Sequence, residues 1–176
     1  MNANPEREDV VAEGVRFSIY RDVPKWEGYR TASIGKVKIS DPEMASRKLE
    51  EAAATLKTEG FEAIIGPMDG STWHTYRAVV ESDGSQPYMM EPMSGPHDVA
   101  VLKETGFQPI SHYVSSRVQT EEAIGPEEAS HPRITIETFD GRNADALFGE
   151  VFDLSLQGFS ENHFYKPITR DAFLDL

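Results

Sequence analysis

The chain contains no cysteine. That excludes disulfides, thiolate nucleophiles and Cys-ligated zinc or iron–sulfur centres together, so packing must supply the stability. Long apolar runs are also missing: no stretch approaches the 18 consecutive apolar residues of a membrane span, and no basic-then-apolar leader opens the sequence. Positive charge is scarce, with 17 Lys and Arg against 30 Asp and Glu and a net charge of −13. Such a surface repels nucleic-acid phosphates and anionic headgroups, which excludes general DNA or RNA binding and membrane-surface binding. What is present suits a globular domain: 176 residues, 39% hydrophobic and 10% aromatic, enough for a core. The expected setting is soluble and cytoplasmic.

Residues 1–13 are polar, acidic and unpatterned, and read as a disordered terminus with order beginning near Gly14. Residues 15–23 and 31–40 read as two extended segments around a Pro24, Trp26, Gly28 turn region. In the second, Ile34, Lys36, Lys38 and Ser40 interleave with Gly35, Val37 and Ile39, so a hairpin is expected. Over 41–59 the period changes. Ala45, Leu49, Ala52 or Ala53 and Leu56 recur at three and four, the apolar stripe of a helix. Ser40 or Asp41 caps it, Pro42 fits its first turn, and Gly60 ends it. The apolar run 61–66 then reads as a buried strand, which makes strand, helix and strand a βαβ crossover.

Further along, a short helix is expected from Ser71, with Trp73, Tyr76 and Val80 on one side. Residues 86–91 read as extended, 96–105 as helical with Val99 and Leu102 inward, and 107–118 as a long strand. Residues 119–131, with four Glu, a Gly and a Pro, have linker composition. A strand at 134–139, a Leu- and Phe-rich helix at 144–157 and a Thr169-capped helix at 170–176 follow. The mixed pattern predicts an α+β sheet layered with helices.

The segment Gly60-Phe-Glu-Ala-Ile-Ile-Gly-Pro-Met-Asp-Gly-Ser-Thr-Trp73, followed by Gln86-Pro87 and by Leu102-Lys-Glu-Thr-Gly-Phe107, is similar to bacterial GNAT-like proteins of the N-acetyltransferase superfamily. The similarity covers roughly residues 30–118. It implies a mixed, mainly antiparallel sheet with helices on both faces. It also implies a 14–118 domain, acetyl-CoA as cofactor and transfer of acetyl to an amine. Residues 132–176 resemble the opening strand and two helices of such a domain. They would complete the first domain, swap onto a partner in a homodimer, or open a second domain.

In this superfamily the pyrophosphate sits at a helix N-terminus, where free N–H groups and the helix dipole attract it. The matching place here reads Ile39-Ser-Asp-Pro-Glu-Met-Ala45, without the family's glycines. Pro42 lacks an N–H, and Asp41 and Glu43 hold the positive helix end. Each such carboxylate stabilises the helix by ~0.3–1 kcal/mol. One about 5 Å from a phosphate would repel it by roughly 3 kcal/mol at an effective dielectric near 20. The place where the family has its Tyr acid holds Leu102, which has no proton to give. The resemblance therefore implies acetyl transfer, with a non-catalytic binding or oligomerisation module as the alternative.

His74, beside Trp73 and Tyr76, is the candidate general base; the competing account is a solvated or hydrogen-bonded histidine. Tyr113 is the substitute acid, or else a strand tyrosine with a bonded hydroxyl. Glu81 and Asp83 are weaker base candidates. Met68, Ser71, Trp73, Tyr76 and Tyr88 are candidate pocket residues for a small amine substrate; the competing accounts are core packing and, for Ser71, a helix cap. The five histidines show no ligand spacing, so no metal is expected. Phe148, Phe152, Phe159 and Phe164 suit an interface.

Overall fold

A computed structural model describes residues 6–89, 91–119, 135 and 138–176. Among them the chain is an α+β fold with a four-stranded, mostly antiparallel open sheet and four helices. The strands β1 (Arg7–Ala12), β2 (Val15–Tyr20), β3 (Thr31–Ile39) and β4 (Ala63–Ile65) lie in sequence order. The first three pair antiparallel, and β4 pairs parallel to β3. Helix α1 (Pro42–Thr58) makes the crossover between those two. Helices α2 (Asp98–Glu104), α3 (Ala144–Phe159) and α4 (Arg170–Leu174) follow.

The hairpin and the βαβ unit stand where the hydrophobic pattern puts them, but β1 occupies the stretch expected to be disordered. Six residues pair in register from Arg7↔Tyr20 to Ala12↔Val15. The pairing turns Val10 and Ala12 toward the core, opposite Phe17 and Val15, and leaves Val11 exposed. Polar composition hid an edge strand, because such a strand needs apolar residues on one face only. Gly14 makes the tight turn with φ +73°, and its carbonyl accepts the Ser40 and Asp41 N–H groups. A Cβ there would come within 2.4 Å of Asp41, so only glycine lets the hairpin sit on the start of α1.

On β3 the strict alternation fails at one point. Between Ser18↔Gly35 and Arg16↔Lys38 the register shifts, with Lys36 at φ +50°. This bulge adds a residue, so Ile34 and Ile39, which strict alternation would separate, both join the core. That core places Phe17, Ile19, Ala32 and Ile34 beneath Ala45, Leu49, Ala52 and Leu56 of α1, with Val101 and Leu102 of α2 alongside.

The opposite face at Ser33 and Gly35 meets a loop where helices were expected on both faces. Ser33 Oγ donates to the Met68 carbonyl at 2.9 Å, and a Cβ on Gly35 would fall 2.2 Å from Asp69 Oδ1. Ser71 starts no helix; it lies in a turn, with the His74 N–H on its carbonyl. Residues 107–118 form no strand, contrary to the expectation of a long one, and the segment read as extended, described at 86–89, joins no sheet. Phe107 follows the last turn of α2, where its N–H donates to the Leu102 carbonyl. The acidic stretch expected as a linker, 119–131, lies outside the described residues except Gln119, and so does half of the expected 134–139 strand, residues 134, 136 and 137. The last two helices stand as read, with Thr169 Oγ1 accepting the Ala172 N–H.

Candidate functional site

The Gly-Pro-Met segment follows β4 directly and turns back across β3. The Met68 N–H donates to the Ile34 carbonyl, and Met68 bridges Tyr76 across the loop. Asp69 then anchors the turn: its Oδ1 accepts the Lys36 N–H at 2.6 Å, the donor that the bulge withdraws from the ladder. Tyr20 closes against Gly70, and burial together with the Asp69 carboxylate pushes its hydroxyl pKa up. Met68 is 1% exposed and Ser71 4%, so both are interior groups of this loop.

Trp73 makes a different connection. Its Nε1 donates to the Lys166 carbonyl at 2.7 Å, and its ring meets Phe159, Tyr165 and Phe173 at 5.9, 6.1 and 5.9 Å between centroids. Lys166 Nζ also pairs with Asp22. The residue expected in a substrate pocket is thus the hub that holds the C-terminal helices to the sheet unit. Phe152 joins it through Phe173, at 5.4 Å.

Tyr76 and Tyr113 come together, edge to face at 6.0 Å, with Arg77 beside both. The Arg77 guanidinium lies 4.6 Å from one ring centroid and 4.8 Å from the other. Nη2 is 3.9 Å from Glu91, while Nε is buried without a hydrogen-bond partner among the described residues. The backbone of Arg77 has φ +77°, and its N–H donates to the Pro67 carbonyl. Sequence reasoning missed this arginine, since Tyr-Arg-Ala carries no motif and the contact spans 36 residues. Only the aromatic neighbours were legible.

His74 is exposed, and among the described residues no carboxylate is hydrogen-bonded to its ring. Tyr113 is half exposed, with its ring on Arg77. Tyr88 donates to the Ser116 carbonyl at 3.0 Å. Glu81 is exposed, and the Ser85 N–H and hydroxyl hold the exposed Asp83 carboxyl below the usual carboxylate range. Shallow depressions lie elsewhere. One is at the β1–β2 turn beside Gly14 and Lys38, another between α3 and α4 beside Gly149 and Arg170; none of the candidate site residues lines either. Among the described residues no three His, Asp or Glu side chains gather around a point that would hold a metal, and no helix is long and apolar enough to cross a membrane.

At the start of α1, Asp41 Oδ1 accepts the Met44 N–H at 3.0 Å. Of the two caps expected, Asp41 is the one used; the Ser40 hydroxyl turns to the Gly14 carbonyl instead. No family model matches the chain, nor does any curated protein or solved structure.

Proposed function

We propose that this chain is a GNAT-like domain that has lost acetyl transfer and serves as a cytoplasmic binding or oligomerisation module. One observation carries the reading: backbone donors that acetyl-CoA would need are held by acceptors of the chain itself. The GNAT-like part is supported by the antiparallel strands leading into the parallel β3–α1–β4 crossover. Under the resemblance the pyrophosphate belongs at the start of α1. There the Ser40 and Asp41 N–H groups go to the Gly14 carbonyl, the Met44 N–H goes to Asp41, and Pro42 has none to offer. Thioester activation asks for a strand N–H aimed at the acyl oxygen. The bulge frees one at Lys36, and an Asp69 carboxyl oxygen takes it at 2.6 Å. The residues present do not fit acetyl-CoA.

The second reading, acetyl transfer to an amine, is favoured by the same crossover, with exposed His74 as base and Tyr113 as acid. A thiol-release assay separates the two cleanly, because a chain without cysteine gives no background. Incubation with acetyl-CoA and a panel of primary amines is expected to release no coenzyme A thiol above the uncatalysed rate. Release that His74→Ala abolishes would establish the enzyme instead.

A further inference from the structure

Helix α3 is apolar over most of its circumference. One side, through Gly149, Phe152, Leu156 and Phe159, faces α4 and Trp73. Asp153, Gln157 and Glu150 form a polar edge. The remaining arc, about 120° wide at 100° per residue, carries Leu147, Phe148, Val151 and Leu154 and no charge. These four are 38, 45, 38 and 68% exposed, and no residue of the helix is buried.

From this arc we propose that two copies of the chain pair through α3, antiparallel, about a two-fold axis between Val151 and Leu154. The inference rests on the interaction-module reading and names its partner. Shape argues for self-pairing. The bulky Leu147 and Phe148 lie toward the N-terminal end of the arc, while Ser155 and Gly158 lie toward the C-terminal end. A Cβ on Gly158 would meet nothing within 4 Å, so the notch is open. Antiparallel pairing seats Leu147 of each copy on Gly158 of the other and Val151 on Leu154, an isologous knob-and-hole match. Parallel pairing would set bulk against bulk. Charge argues the same way for the face itself, whereas the −13 on each chain opposes approach and is screened by salt. The four side chains expose roughly 350 Å² per copy, so pairing buries roughly 700–900 Å², the range of a transient, concentration-dependent dimer.

The absence of cysteine makes the test direct. Leu147→Cys and Gly158→Cys chains, each checked for native circular dichroism, are treated with a short bis-maleimide at 200 μM protein in 0.5 M salt. The mixture is expected to give at least fivefold more cross-linked dimer than either variant alone. Sedimentation of the unmodified chain is expected to show association that strengthens between 50 and 500 mM salt and weakens tenfold or more in Val151→Glu. Equal cross-linking in the single variants, or a monomer at 200 μM in 0.5 M salt, overturns the pairing and leaves the face to a different protein. Acetyl-CoA turnover would overturn the module reading without altering the cross-linking pattern, so the two failures are distinguishable.

Discussion

At Arg77 two costs converge, a left-handed backbone and a buried donor without a partner among the described residues, and two tyrosine rings hold the residue there. Glycine has no penalty at φ +77°, whereas alanine loses the ring contacts and keeps the strain. Arg77→Gly is therefore expected to be more stable than Arg77→Ala by about 1 kcal/mol in urea unfolding. Equal stabilities would mean that the loop relaxes away from that backbone geometry. Gly35 makes the opposite demand. Its missing side chain admits the Met68 carbonyl and Asp69 carboxylate, so Gly35→Ala should cost about 1–3 kcal/mol or more by overpacking against backbone. Asp9 gives the residue-scale pH dependence. The Ser18 hydroxyl first, and Arg7 second, hold its carboxyl below the usual range. Folded-state ionisation is thus favoured over the unfolded value near 3.9. The stabilisation is complete above that value and fades as pH falls through the lower, folded one. Unfolding curves from pH 6 to 2 should show an acid loss that Asp9→Asn lessens; an unchanged loss would remove Asp9 from the account.

For whole elements, α1 shows how local sequence can decide a segment. Its stripe, its proline and its cap all agree, and the buried set Ala45, Leu49, Ala52 and Leu56 is the one that the spacing names. Asp41→Ala should cost about 0.5–2 kcal/mol, while Ser40→Ala should cost little, since only the aspartate caps the helix. The far end of α1 is tied differently. Arg21 forks onto Glu59 at 2.7 and 3.0 Å in a largely buried site, and Glu59→Gln is expected to destabilise by about 1–3 kcal/mol through the lost charged hydrogen bonds. Elements that depend on distant partners were less legible. The polar β1 became a strand because β2 offered it a register, and 107–118, strand-like in pattern, pairs with no strand among the described residues. Around Ser71 the cap-like sequence led to no helix, since the Met68–Tyr76 bridge folds the chain back within a few residues.

Across the whole molecule, the candidate site was legible as a neighbourhood and not as an arrangement. The sequence marks Met68, Ser71, Trp73, Tyr76, Tyr88 and Tyr113 as unusual. Residue type alone does not distinguish a pocket wall from a joint between parts. Trp73 is such a joint, 93 residues from the carbonyl it binds. The carboxylates carried the stronger signal. Asp41 beside Pro42 already argued against a pyrophosphate, and the structure adds Asp69 on the bulge N–H of β3, a contact that spacing could not reveal. On the proposed reading, these carboxylates occupy backbone donors that acetyl-CoA would need. Calorimetric titration of the full chain with acetyl-CoA tests it most directly. No binding heat and no change in Tm are expected at 1 mM ligand. A dissociation constant near 10 μM, which at that concentration would raise stability by ~2.7 kcal/mol, would contradict it.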